Sequence, residues 1–180
     1  MFDHLRADTA RLREFKTKPA PWYVVESLLF ENGYQAVLLY RLAHWFKKKG
    51  IPVLGPLVHR LAIAWTGVDI SPAAEIGPGL LISHGVGLVI GGYARIGAQA
   101  LILHGVTVGS PNFGRVQEMP VIGDRVFLGA GAALIGAITL GDDVQIGANA
   151  VVSQDVADGC RVLAPAPEIR PPRPASEEEA

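Results

Sequence analysis

Two hydrophobic patterns divide the chain. Over residues 1 to about 66, in WYVVESLLF, YQAVLLYRLAHWFKKK and PVLGPLVHRLAIAW, apolar residues recur every three or four positions. Leu38, Leu42 and Trp45 run beside a second stripe of Leu39, Ala43 and Phe46. That spacing predicts amphipathic helices. Lys47, Lys48 and Lys49, followed by Gly50 and Pro52, predict a helix stop, because cations suit the negative helix end and glycine takes the left-handed cap. From Val68 onward the period becomes six. Ile70, Ile76 and Ile82, then Ile90, Ile96, Ile102 and Val108, then Ile122, Leu128, Leu134, Leu140, Ile146 and Val152 keep that spacing, and glycine follows most of them. The unbroken run from Ile122 to Val152 has a chance probability on the order of 10⁻³.

A six-residue repeat fits neither a helix nor a hairpin strand. It is the signature of a parallel β-helix, in which three hexads close one triangular coil with the aliphatic side chain inward and a small residue at each corner. The expected organisation is an α-helical N-terminal domain over residues 1–67, about five β-helical coils over residues 68–164, and a tail over residues 165–180. The tail, Pro-rich and then acidic, is predicted to be disordered.

Composition agrees with a globular chain. Of 180 residues 49% are hydrophobic and 18% charged, and the net charge of −1 argues against a nucleic-acid binder that works by neutralising phosphates. Cys160 is the one cysteine, so no intrachain disulfide is possible. The N-terminal run lacks the form of a signal peptide, so a cytoplasmic location is expected. Residues 76–94 and 96–114 contain no Asp, Glu, Lys or Arg. Hydropathy alone would suggest membrane spans there, but the six-residue period and the glycines explain them better. Trp45, Phe46 and the lysine run leave open a peripheral contact with an anionic membrane surface; a plain helix end is the other reading.

The repeat is interrupted twice, and such interruptions are where function concentrates. Ile82 to Ile90 is eight residues, so SHGVGLV contains a two-residue bulge. Val108 to Ile122 is fourteen, so SPNFGRVQEMP is a surface loop. Counting faces places His84 two residues after Ile82, and His104 two after Ile102, at the same corner. Stacking in neighbouring coils then puts them about 5 Å apart. Ala130 and Ala148 continue that file, and Asp69 falls beneath the bulge. An aspartate beside a histidine can orient the imidazole and stabilise its charged form while the ring takes a proton from a nucleophile. A strip of alanine and glycine suits a long, thin cofactor arm. The plainer readings are a His84 bonded to its own bulge, a structural His104, and an Asp69 that caps the first coil.

VDISPAAEIGPGLLISHGVGLVIG, LHGVTVG and PVIGDRVFLGAGAALIGAITLGDDVQIGANAVV, preceded by GYQAVLLYRLAHW, resemble the serine acetyltransferase branch of the hexapeptide acyltransferases from about residue 33 to 167. The resemblance implies a left-handed parallel β-helix preceded by a small helical domain, a homotrimer or dimer of trimers, acetyl-CoA as donor, no metal, and a site between subunits. It also implies that His84 is the catalytic base, Asp69 its carboxylate partner, and Ala130 and Ala148 the backbone positions along the pantetheine arm. Gly109 or His104 would steady the oxyanion.

The chain departs from that pattern. Ser83 stands where the family has an aspartate, Glu118 and Met119 where it has an Arg-His pair, and Lys18 aligns with a further serine-contacting aspartate. The tail ends on Ala180 without the family's terminal isoleucine. These losses favour a saccharide hydroxyl as acceptor, as in a looser resemblance to acetyltransferases of polysaccharide biosynthesis that share Leu5-Arg6-Ala7, His84-Gly85 and the His104 motif. L-serine is the alternative. Two other classes are weaker: a γ-type carbonic anhydrase needs three histidines at zinc where the repeat region has His84 and His104, and a non-catalytic scaffold would need only the stacked coils.

Overall fold

The computed structural model describes residues 1–16, 22–166 and 168. Four helices, α1 (Phe2–Lys16), α2 (Trp22–Phe30), α3 (Asn32–Lys48) and α4 (Leu54–Thr66), precede the repeat. The first coil holds β1 (Asp69–Ile70), β2 (Glu75–Ile76) and β3 (Leu81–Ser83). The second holds β4 (Val89–Ile90), β5 (Arg95–Ile96) and β6 (Leu101–Leu103). The third holds β7 (Thr107–Gly109), β8 (Val121–Ile122) and β9 (Phe127–Leu128). The fourth holds β10 (Ala133–Ile135), β11 (Thr139–Leu140) and β12 (Gln145–Ile146), and β13 (Val151–Val152) and β14 (Arg161–Val162) complete a fifth. Every pairing is parallel, and the three faces run β1-β4-β7-β10-β13, β2-β5-β8-β11 and β3-β6-β9-β12-β14. The result is a three-sided parallel β-helix of about five turns, consistent with a left-handed coil.

All thirteen aliphatic positions of the six-residue count are buried, none more than 5% exposed. A second inward file lies two residues before each of them, including Val68, Ala74, Leu80, Leu88, Val106 and Val144. Both follow from strand alternation: positions i−2 and i share a face, and the residue between them points out. Glycine after the aliphatic residue is required on the second face. A Cβ on Gly77 would come within 2.7 Å of Gly97 backbone, and one on Gly123 within 2.7 Å of Gly141 backbone.

The helices cap the open end of the prism. An uncovered end coil would leave a row of unpaired backbone groups, and side chains of α1 and α3 meet several of them. Tyr40 Oη donates to Ala74 O, Arg41 donates to Ile76 O and Gly77 O, and Asp8 accepts from the N–H groups of Gly79 and Leu80. Arg41 and Asp8 are themselves ion-paired at 2.9 Å and fully enclosed. Ala36, Val37 and Tyr40 join the β-helix core, while Leu12, Tyr23 and Tyr34 cover Leu81 from outside.

The helix stop falls as expected at Lys48. Trp45 and Phe46 are half-buried against each other, ring centroids 5.1 Å apart; the exposed aromatics of the helical region are instead Phe2, Phe15, Trp22, Phe30 and Trp65. Among the described residues no helix is long and apolar enough to cross a membrane.

Candidate active site

The bulge predicted at SHGVGLV is present, but its geometry differs from simple counting. Pairing runs in register through Ser83↔Leu103, after which His84 turns left-handed with φ 55°. The other left-handed non-glycine residues of the coils, Gln99, Arg125, Asp143 and Asn149, stand at regular corners. His84 stands off them, where such a backbone is uncommon for a side-chain-bearing residue. The corner ladder then passes through Val86: Gly87 N–H donates to Gly67 O, Gly105 N–H to Val86 O, and Gly131 N–H to His104 O. Val86, rather than His84, therefore lies in the rung under His104. The extra residues push the His84 imidazole out of the stack, where it is exposed.

The upper part of the file is as counted. Asn149 N–H donates to Ala130 O at 2.8 Å, which puts His104, Ala130 and Ala148 on successive rungs with small neighbours Gly129, Gly131 and Gly147. Gly109 is not brought to His84: it ends β7, at the far corner of the first face, where its carbonyl accepts from Gly136 N–H.

Asp69 begins β1 opposite Val89, on the rung below the bulge. Its Oδ1 lies 2.8 Å from Nε2 of His59 on α4. The expected partner, His84, makes no such bond within the chain. His59 was not singled out from the sequence, where it reads as an ordinary residue of a predicted helix. Glu118 pairs with Arg115 at 3.6 Å, and the thioether of Met119 covers Gly91. Lys18 and the tail beyond residue 168 lie outside the described residues. Among those described, no three His, Cys, Asp or Glu side chains gather as a metal site.

A cavity of about 220 Å³ opens beside His84, walled by Leu12 and Phe15 of α1, Phe30, Glu31, Ser83 and His84. Its floor is made by close backbone approach. A Cβ on Gly33 would overlap the Ile82 carbonyl oxygen, and one on Gly85 would meet Ile82 at 2.6 Å and Val68 at 2.9 Å. Two glycines thus let α3 and the bulge close on each other.

A parallel β-helix of hexads with a histidine displaced at one bulged corner defines a hexapeptide-repeat transferase fold, and residues 119–154 match the family model "Bacterial transferase hexapeptide (six repeats)". Serine acetyltransferase of Helicobacter pylori is 44% identical over 147 residues, covering 82% of this chain and 86% of that one. The chain belongs to the serine acetyltransferase family. The Synechococcus elongatus serine acetyltransferase is 39% identical over 91% of this chain; the chain spans only 66% of that relative's length. Among solved structures, soybean serine acetyltransferase complexed with serine superposes with a TM-score of 0.83 at 33% identity, over 90% of this chain and 66% of that one. The Neisseria gonorrhoeae enzyme in complex with serine gives 0.79 at 34% identity, over 89% and 65%.

Proposed function

We propose that this protein is an acetyl-CoA-dependent serine O-acetyltransferase. The observation that carries the reading is His84, held in a left-handed conformation at the bulge and facing a small, partly apolar pocket. Family membership supports L-serine as acceptor. The saccharide acceptor expected from Ser83, Glu118 and Met119 finds no support among the relatives, which are named serine acetyltransferases.

In this reading His84 removes the proton of the acceptor hydroxyl as its oxygen attacks the thioester carbonyl. The tetrahedral intermediate collapses with cleavage of the C–S bond, and the imidazolium returns the proton to the departing CoA thiolate. Asp69 stabilises the imidazolium. A carboxylate accepts at both oxygens, so with His59 bonded to Oδ1 the Oδ2 of Asp69 can take the His84 imidazolium, a bond that forms only as the acceptor complex assembles. The small residues of the file at Ala130 and Ala148 leave backbone amides open to the pantetheine arm, and His104 borders the thioester end. Gly109 can serve the oxyanion only if a neighbouring subunit supplies it. Trimers, alone or paired, and a cytoplasmic location belong to the same proposal.

The test is CoA release from acetyl-CoA with L-serine and with a panel of sugars and lipid-linked saccharides, wild type beside His84→Ala. Serine should be turned over, and His84→Ala should lower kcat by about 10²-fold or more. Full activity in His84→Ala refutes the base assignment; turnover of a sugar but not of serine refutes the acceptor.

A further inference from the structure

Asp69 is fixed by its backbone but not, within the β-helix, by its side chain. Its N–H donates to Leu88 O at 2.8 Å, and it pairs with Val89 at the start of β1. Its neighbour Ile70 is buried, so strand alternation turns the Asp69 carboxylate outward, where it is 45% exposed. Among the described residues the β-helix gives that carboxylate no hydrogen bond. Its one hydrogen-bond partner is Nε2 of His59, 2.8 Å from Oδ1. Without it the side chain is free to turn among staggered rotamers, and a carboxylate turned to water does nothing for His84.

We infer that His59 is a positioning residue for acetyl transfer, an imidazole of the helical region that holds the Asp69 carboxylate so that its other oxygen meets the His84 imidazolium. The inference rests on the serine O-acetyltransferase reading and adds to it the group that orients the partner of the base. An ionised carboxylate only accepts, so the proton of the bond sits on His59 Nε2 and the ring is the donor. The imidazole is 23% exposed against 45% for the carboxylate, so the more enclosed member of the pair does the holding.

The helix that carries His59 is tied to the bulge that carries His84. α4 ends at Gly67, which takes the left-handed cap with φ 70° and donates to Ile63 O. Thr66 Oγ1 donates to Ala62 O and accepts from Val68 N–H, and Asn32 of α3 donates to Thr66 O at 3.2 Å. Gly67 O in turn accepts from Gly87 N–H, inside the bulge. His59, Asp69 and His84 therefore hang on one short bonded junction. His59 does not line the pocket beside His84. It borders a separate cavity of about 390 Å³ with Lys47, Pro56 and Ser71, which shares no lining residue with that pocket. Its substitution should act on turnover rather than on acceptor binding.

The experiment measures kcat and KM for L-serine and acetyl-CoA in wild type, His59→Asn and His59→Gln, each also combined with Asp69→Ala, with thermal denaturation of every variant. The Gln amide nitrogen reaches about as far as Nε2 and can donate to Oδ1, whereas the Asn amide is one methylene shorter and falls short. His59→Asn should lower kcat by about 10- to 100-fold with both KM values within about threefold. His59→Gln should recover most of that loss. In the Asp69→Ala background either His59 substitution should cost less than about a further twofold, because residues that act through one another are not additive. His59→Ala, which also lacks the bond, takes the place of His59→Asn if that variant is unfolded at the assay temperature. With Asp69→Ala impaired, an unchanged kcat in His59→Asn overturns the inference and leaves the proposed function standing. So does a His59→Gln as impaired as His59→Asn, or the full loss repeated on top of Asp69→Ala, since the role is then structural. Full activity in Asp69→Ala, or a wild type that does not turn over serine, overturns the proposed function and the inference with it.

Discussion

Removing Asp8 tests the claim that the helical region caps the β-helix and shapes the pocket. Its carboxylate is fully enclosed and serves four donors: Arg41 Nε at 2.9 Å and Nη2 at 3.1 Å, and the N–H groups of Gly79 and Leu80 at 2.8 Å each. In Asp8→Ala the Arg41 guanidinium keeps its bonds to Ile76 O and Gly77 O but loses its counter-charge, and two buried amides lose their acceptor. Breaking a buried pair in this way costs about 3–5 kcal/mol. The orphaned amides are part of that cost, since they lose the same group. At about 2–4 °C per kcal/mol for a chain of this size, Tm should fall by about 6–20 °C. Circular dichroism melts at one fixed protomer concentration provide the measurement, because self-association also shifts Tm. Asp8→Ala/Arg41→Met removes the stranded charge, so it should be less destabilised than the sum of the single variants, by about 0.5–3 kcal/mol. A loss under about 1 kcal/mol in Asp8→Ala, with an additive cycle, would refute the reasoning. Because α1 also carries Leu12 and Phe15 into the pocket, Asp8→Ala should raise the acceptor KM more than the acetyl-CoA KM.

Gly33→Ala places a methyl group against the Ile82 carbonyl and should cost about 1–3 kcal/mol by overpacking; urea melts should show it, together with a raised acceptor KM, since the bulge begins one residue later. A pH effect follows from His44, whose Nδ1 lies 2.9 Å from Pro72 O. Burial, joined by the charges of Lys48 and Arg41, lowers its pKa below 6.5 despite the Pro72 bond and Glu75. His4 is lowered in the same direction, chiefly by burial and Arg41. Between the folded value and 6.5 the unfolded chain binds more protons, so stability should fall as pH drops through and below about 6.5. Melts across that range should show the slope, and His44→Gln should flatten it.

The six-residue count reads the inside of the prism with few errors because its cause is local. Each coil has one inward aliphatic position per face, and a slip by one residue would turn that side chain to solvent. The bulge and loop were legible for the same reason, as changes in the count. What counting could not supply is direction. It put His84 under His104 because it treated the corner as rigid, whereas the chain turns left-handed at His84 and resumes the ladder at Val86.

The helices show the complementary limit. Their periodicity predicted that they form, but Asp8, Arg41 and Tyr40 read as ordinary helix residues until the open coil end is set beside them with its unpaired backbone groups. His59 and Glu31 are equally silent in sequence, one reaching Asp69 across the helix-to-strand junction, the other meeting His84 across a cavity. The sequence by itself determined the β-helix, its interruptions and the identity of the candidate base, since these rest on short-range spacing. Only the tertiary structure decided which groups face that base, because residues about fifty positions apart meet there through packing that no local pattern encodes.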